Sequence, residues 1–382
     1  MWNSPIIRER MNERQKILSV VGTRPNFMKV APIVRALESR KDEFEHVLVH
    51  TGQHYDLEMS EIFFDELGVG EPDHRLDVGS GTHARQTARV MERLEPVLLA
   101  ERPDVVLVAG DVNSTLAAAL VAVKLGIVVA HIEAGLRSFD RTMPEEINRI
   151  LTDAISEMLF THSPEAREHL LAEGRDERLI HYVGNTMIDT LVAMRERIDA
   201  FDAAARRGLT VGGYLVVTLH RPVLVDGPLL RASAEALRVL ASRMPVIFPV
   251  HPRTRARLVA EDPSLASAPG LQLLEPMGYL EFIALVAVAA GVLTDSGGIQ
   301  EETTFLGVPC LTLRENTERP ITVSMGTNLL LGLSPERIGE VPELLAQVRA
   351  RPHRIPPLWD GQAAERIVDT LAGAARDVSV TL

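Results

Sequence analysis

The sequence is poor in several features that would point to particular functions. It has one cysteine, Cys310, so an internal disulfide and a cysteine-built zinc cluster are both excluded, as suits a reducing compartment. Cys310 sits in the apolar run Val308-Pro309-Cys310-Leu311 and reads as a buried structural thiol, not a nucleophile. Cations are the minority, 40 Lys and Arg against 52 Asp and Glu, for a formal charge of −12. That balance argues against bulk binding to nucleic acid or to an anionic membrane surface. The longest apolar stretch, Phe282 to Leu293, falls short of the ~18–20 residues that a bilayer span needs. Met1 to Lys16 is rich in Arg and Glu and lacks the apolar centre of a signal peptide, so a loose arm over 1–15 and a cytoplasmic location are expected. A strict G-x-G-x-x-G, a P-loop, an H-E-x-x-H and an Asp-x-Asp are all missing, which leaves NAD, ATP and a metal-held diphosphate without a fingerprint. His46 and His50 are four apart in a predicted strand, where that spacing makes no shared metal face. No metal and no cofactor are expected.

What is present is a regular alternation. At about 100–200 residues per domain, 382 residues suggest two domains. Near-continuous apolar strands are predicted at 16–21, 46–51, 104–109, 127–132 and 157–161, with helical periods at 57–67, 82–100, 112–125 and 144–155. A second series follows the charged, Ala-rich stretch Met194–Gly208. Its strands fall at 214–219, 245–250, 271–274, 291–294 and 309–313, and its helices at 227–241, 278–289 and 298–306. Apolar strands interleaved with helices make a parallel sheet covered on both faces. The expected fold is α/β, with two doubly wound Rossmann-like domains at 16–190 and 205–358, and the last helix, 360–382, joining the first. Ligands of such folds bind beyond the carboxyl ends of the strands, here in a cleft between the halves.

Charged residues collect at those strand ends. After the first strand comes Gly22-Thr23-Arg24-Pro25-Asn26-Phe27-Met28-Lys29, in which Arg24 and Lys29 flank an anion-favouring helix start. The same pattern also suits a capped surface turn. Asp111 and Glu133 directly follow apolar strands, a place where capping alone does not require a carboxylate. Glu145 and Glu146 open a helix, where Glu146 reads as a first-turn acid favoured by the macrodipole. Carboxylates converging on one cleft would raise one another's pKa, as a general acid requires. In the second half, His220-Arg221 and His251-Pro252-Arg253 end strands, and Asp295-Ser296-Gly297-Gly298 leads into a helix. A Ser-Gly-Gly turn of this kind offers backbone N–H groups to a phosphate. Glu302, about one turn along, is placed to hold a ribose diol, although an ordinary solvated helix residue would look the same.

Gly22-Thr23-Arg24-Pro25, Thr51-Gly52-Gln53-His54-Tyr55-Asp56, Gly110-Asp111, His131 to Arg137, Pro144 to Arg149, His220-Arg221, Asp295 to Glu302 and Thr317-Glu318-Arg319-Pro320, in that order, resemble the non-hydrolysing UDP-N-acetylglucosamine 2-epimerases. The resemblance implies a GT-B fold, a homodimer, no metal, and interconversion of UDP-GlcNAc and UDP-ManNAc. It further implies that Arg24, His220, Ser296, Gly297, Gly298, Glu302 and Arg319 hold UDP, with Phe282 beside the uracil. By the same match, Lys29, Asp111, Glu133, Glu145 and His220 are expected to be catalytic. Gln53, Arg85, Glu145, Arg221 and His251 match positions where some members bind a second, activating UDP-GlcNAc. Four positions depart from the family pattern. Val223 and Leu224 stand where it often reads Glu and Asn, Met277 where it reads Gln, and Asp56 where it has a second activator-site Gln.

The expected chemistry is expulsion of UDP from C1, which makes the C2 proton labile, followed by re-addition with the proton on the opposite face. Acid–base groups are then needed on both faces, and fixed cations and N–H groups around the departing diphosphate. A hinge near 185–210 would let the cleft close. The alternatives are a 2-epimerase of a modified sugar, such as a UDP-2,3-diacetamido uronic acid, and a GT-B glycosyltransferase.

Overall fold

The computed structural model describes residues 14–52 and 67–380. Residues 1–13 of the expected 1–15 arm, Gln53 and all but the last residue of the expected helix at 57–67 lie outside the described residues, while Gln15, expected in the arm, opens the first strand. Two compact units result, one of residues 1–192 with 357–382, the other of 193–356.

The first unit contains β1 (Gln15–Val21), α1 (Arg24–Ser39), β2 (Phe44–His50), β3 (His74–Arg75), α2 (His83–Glu101), β4 (Val105–Ala109), α3 (Asn113–Lys124), β5 (Val128–Ile132), α4 (Pro144–Ile155), β6 (Met158–Thr161), α5 (Pro164–Ala172), β7 (Ile180–Tyr182) and α6 (Thr186–Ala193). The second contains β8 (Leu215–Thr218), α7 (Leu230–Ala241), β9 (Val246–Pro249), α8 (Pro252–Glu261), β10 (Leu271–Leu274), α9 (Tyr279–Ala287), β11 (Gly291–Thr294), α10 (Gly298–Leu306), β12 (Cys310–Thr312), β13 (Asn328–Leu330) and α11 (Val341–Ala350). The last helix, α12 (Ala363–Val380), belongs to the first unit.

Each sheet is parallel throughout. The first runs β3-β2-β1-β4-β5-β6-β7 and the second β10-β9-β8-β11-β12-β13. In both, the order reverses beside the first strand of the unit, between β1 and β4 and between β8 and β11. That topological switch is where a doubly wound sheet opens a crevice at its carboxyl edge. Burial explains the strands: β4 is wholly apolar and β1 is buried from Ile17 to Val21, with Ser19 its one polar residue there, because helices cover both of their faces. On one face of the first sheet Leu18, Val20, Val106 and Val108 pack with Val90, Leu94 and Leu98 of α2. In the second unit Leu215, Val217, Phe248 and Leu293 pack with Leu237 and Leu240 of α7. Cys310 is fully buried, and burial pushes its thiol up to about 11, consistent with a structural role.

The last helix is held by a carboxylate, not by apolar contact alone. Asp189 of α6 accepts the Ala363 amide (3.1 Å) and the Ala364 amide (2.7 Å), satisfying two donors at the start of α12. Trp359, just before it, is buried and donates to the His162 carbonyl at 2.9 Å. Burial raises the Asp189 carboxyl from 3.8 to about 6 against the opposing effect of its two amide donors. A carboxyl raised on folding favours the native state most when protonated, so its stabilising contribution falls as pH rises from about 4 to about 6 and is flat above. By linkage the drop is about 2–3 kcal/mol. Asp189→Asn should remove it, which urea denaturation of both proteins at pH 4 and pH 7 would reveal as a smaller pH difference in the variant.

Candidate functional site

In the first unit the loops after β1, β4 and β5 meet at the switch. Asn26, in the first turn of α1, accepts from the Gly22 and Thr23 amides at 3.2 and 3.1 Å, and donates to the Ala109 carbonyl at 2.7 Å. The turn after β1 is thereby fixed to the end of β4. Lys29, one turn further along α1, pairs with Glu133 Oε2, and both side chains are buried. A Cβ on Gly110 would sit 2.8 Å from Lys29 Nζ and 3.4 Å from Glu133 Oε2, at a φ of +67° that itself favours glycine. Glu133 also has a left-handed backbone, φ +67°, which for a residue with a side chain costs about 1–2 kcal/mol.

Asp111 follows Gly110 and is partly exposed. Its Oδ2 accepts from Arg149 Nε (3.0 Å) and Nη2 (2.6 Å). Arg149 Nη1 bonds Glu146 Oε2 at 2.6 Å, and Glu146 accepts the Ser138 and Phe139 amides at 2.9 and 2.8 Å. Glu146 is therefore a first-turn acid, as read from the sequence, and also a buried anchor of the 138–139 loop. Three donors facing it offset the cost of its burial. Glu145 beside it is half-buried at the start of α4. Lys29, Glu133, Asp111 and the first turn of α4 are thus joined by an unbroken set of contacts running through Gly110 and Arg149.

Arg85 is exposed in the first turn of α2. Its neighbours His83 and Gln86 bond Asn113 at 3.1 and 2.7 Å, which brings this turn to the same sheet edge. Arg24 opens α1, but its side chain, like Gln53, lies outside the described residues.

The second unit repeats the pattern with different chemistry. Asp295, fully buried at the end of β11, binds His220 Nδ1 at 2.7 Å through Oδ1. Its Oδ2 accepts the His220 and Arg221 amides at 2.9 and 2.7 Å. Burial alone would raise the Asp295 carboxyl, yet the His220 ring and the two amides hold it below the usual carboxylate range. The His220 proton is thereby fixed on Nδ1 and the exposed ring presents Nε2. The Arg221 guanidinium reaches back to the Asp295 carbonyl at 3.1 Å.

Ser296 and Gly297 lead into α10, which Gly298 opens. A Cβ on Gly297 would come within 2.6 Å of Arg319 Nη1, so the guanidinium lies directly against the turn. Arg319 is buried between two carboxylates, 3.1 Å from Glu301 and 3.0 Å from Glu318, and Arg314 holds Glu318 at 2.6 Å. Gln300 donates to the Ser296 carbonyl (3.0 Å) and accepts from Thr317 (2.7 Å) and Asn328 (2.9 Å), tying this turn to the 317–319 loop. Glu302 is buried on α10 instead of solvated, and Phe282 is half-buried on α9. His251 caps α8, its Nδ1 accepting the Arg253 amide at 3.2 Å. Leu224, where the family reads Asn, is fully buried in the core of this unit with Val223 packed against it.

Arg149, Asp153, Gln300 and Glu318 carry no role in the sequence reading, and the helices bearing three of them show why. The buried residues of α4 are Glu146, Asn148, Arg149, Thr152 and Asp153, while its Leu151 is 45% exposed. The buried face of α10 likewise includes Gln300, Glu301 and Glu302. Polar residues recurring at helical spacing, with an apolar residue left outside, were the available signal.

Two parallel-sheet units, one with acids at its switch point and the other with a glycine turn backed by arginine, define a GT-B-like α/β protein. The UDP-N-acetylglucosamine 2-epimerase family model matches residues 35–372, and the chain belongs to that family. It is 43% identical over 366 residues to a UDP-N-acetylglucosamine 2-epimerase of Methanocaldococcus jannaschii, covering 93% of this chain and 98% of that one. The crystal structure of the Methanocaldococcus jannaschii UDP-GlcNAc 2-epimerase in complex with UDP-GlcNAc and UDP superposes with a TM-score of 0.85 at 44% identity, over 94% of this chain and 99% of that one. A UDP-2,3-diacetamido-2,3-dideoxy-D-glucuronate 2-epimerase of Pseudomonas aeruginosa is 44% identical over 330 residues, 85% of this chain and 90% of that one. Among the described residues, no helix is long and apolar enough to cross a membrane.

Proposed function

We propose that this protein is an isomerase that interconverts UDP-N-acetylglucosamine and UDP-N-acetylmannosamine by inversion at C2, without hydrolysis. Membership of the 2-epimerase family carries this reading, and the contact set joining Lys29, Glu133, Gly110 and Asp111 supports it. The first unit supplies the acid–base groups Asp111, Glu133 and Glu145 together with Lys29. The second unit supplies His220 and the UDP-binding residues Ser296, Gly297, Gly298, Glu302, Arg319 and Phe282, with Arg24 added from the first.

Breaking the C1–O bond releases UDP. A carboxylate takes the C2 proton, leaving a 2-acetamidoglucal, and UDP adds back with a proton delivered to the other face. N–H groups of the Ser296–Gly298 turn and the Arg319 guanidinium meet the charge that grows on the departing diphosphate. His220, with its Nδ1 proton committed to Asp295, offers Nε2 as an acceptor for a proton that it can hand to the departing diphosphate. The reaction has no acceptor, which separates it from glycosyl transfer.

The protein is further proposed to be a cytoplasmic homodimer. Leu99 on α2, Val123 on α3 and Leu151 on α4 are exposed apolar residues on successive packed helices, and a second copy would cover such a face. Size-exclusion chromatography with light scattering tests this, and a monomeric mass would contradict it. Arg85, Glu145, Arg221, His251 and Gln53 are proposed to hold a second, activating UDP-GlcNAc.

The Pseudomonas aeruginosa relative supports a second reading, in which the sugar is a diacetamido uronic acid. Initial rates without acceptor on UDP-GlcNAc and on the diacetamido uronate nucleotide decide between them. We expect kcat/KM to favour UDP-GlcNAc by at least about tenfold, a preference of ~1.4 kcal/mol. The opposite preference would establish the second reading.

A further inference from the structure

Behind the acids of the first unit runs a buried set of charges that the reaction itself does not touch. Its centre is Asp153 of α4, fully buried with both oxygens occupied. Oδ1 takes His131 Nδ1 at 2.7 Å, and the Nε2 of the same ring donates to the Gly110 carbonyl at 2.8 Å. That carbonyl belongs to the peptide from which Asp111 continues. Oδ2 accepts the Gly135 amide at 3.1 Å and Arg137 Nη1 at 2.7 Å. Arg137 passes on to Glu173, whose two oxygens it meets at 2.7 and 2.6 Å.

We propose that Asp153 is a positioning residue of the epimerase, fixing through His131 the backbone that carries Asp111 and through the Gly135 amide the backbone that carries Glu133. The proposal rests on the epimerase reading above. Three observations carry it. Glu133 is held at φ +67°, a conformation that persists only where the surroundings over-determine it. The Ala134 amide donates to the Phe160 carbonyl at 3.0 Å, and Asp153 supplies the next anchor at Gly135. The oxygen held by His131 governs the β4 edge and the oxygen held by Gly135 governs the β5 edge, so one side chain ties together two strand ends bearing different acids.

The geometry also explains why a carboxylate is needed. His131, Arg137 and Gly135 all present N–H groups to Asp153. An asparagine has only one acceptor oxygen and would turn its own NH2 toward one of these donors. If the position served packing alone, an apolar side chain would do as well as a buried ionic network.

The test compares the wild type with Asp153→Asn and His131→Gln. It measures steady-state epimerisation, UDP calorimetry and the share of turnovers that release 2-acetamidoglucal and UDP. His131→Gln cuts only the branch to Gly110 and leaves the contacts of Asp153 with Gly135 and Arg137, so it carries the test if Asp153→Asn does not fold. Displaced acids should lower kcat by about 10²-fold, with KM and the UDP binding constant within about twofold of wild type. Glucal release should rise, because a glucal once formed waits longer for a proton at C2 and escapes with UDP more often. Wild-type kcat in either folded variant overturns the proposal, as does a loss of kcat matched by an equal loss of UDP-binding sites. An inactive wild type would instead overturn the epimerase reading itself.

Discussion

Replacing Glu133 by Gln is expected to lower turnover by about 10²–10⁴-fold while UDP still binds. The amide cannot exchange a proton with C2, and it removes the negative partner that Lys29 meets in a buried setting. Lys29 is then left opposite a neutral group beneath Gly110, as an uncompensated buried charge that costs stability. Asp111→Asn should give a similar loss through the first effect alone, since Arg149 can still reach the remaining amide oxygen. Neither change touches the Ser296–Gly298 turn or Arg319, so UDP affinity by calorimetry should stay within about twofold, well under 1 kcal/mol. Full activity in either variant would remove that residue from the mechanism.

Arg319→Ala carries the other large expected effect, on binding and stability together. The guanidinium lies against Gly297 and between Glu301 and Glu318, so its removal takes the cation from two buried carboxylates and leaves the turn beside net negative charge. Losing one partner of a buried ion pair costs about 3–5 kcal/mol. A diphosphate approaching that turn would meet repulsion, and the UDP binding constant should weaken by at least about tenfold, or ~1.4 kcal/mol. Calorimetry and urea denaturation read the two effects separately. An unchanged UDP affinity would show that Arg319 braces the turn without serving the nucleotide.

The parts of the fold that were legible in the sequence are those where burial on both faces imposes a run of apolar residues. β1, β4, β8 and β11 stand out for this reason, and they are the strands that bracket the two switch points. Of the four edge strands, β10 is read at 271–274 as observed, and the other three gave no such signal. His74–Arg75, Ile180–Tyr182 and Asn328–Leu330 are two or three residues long, too short for any period, and the first is charged. The helix Pro252–Glu261 carries no apolar period, because three arginines leave Leu258 as its only buried residue.

In the candidate site, the sequence exposed the residues that end strands, because a carboxylate or histidine directly after an apolar run is conspicuous. It hid the residues that hold them. Reading an amphipathic helix assigns its polar stripe to water, which is wrong for α4 and α10, whose polar stripes face inward toward other polar groups. Asp153 and Gln300, on those stripes, carry no role in the sequence reading, and the hold of Glu146 on the 138–139 loop is additional to its first-turn place. Glu302, offered by the sequence as a ribose ligand, is buried on the same face of α10. The reversed placement of Leu151, apolar and exposed, shows that α4 is oriented by its charges.

The account stands or falls on whether a proton leaves C2 and returns from solvent. Proton NMR of UDP-N-acetylglucosamine incubated with the wild-type protein in deuterated water tests this directly. The expected result is growth of UDP-N-acetylmannosamine signals with deuterium at C2 and no need for an acceptor. Formation of the product with its C2 hydrogen retained, or an unchanged UDP-N-acetylglucosamine spectrum, would contradict it.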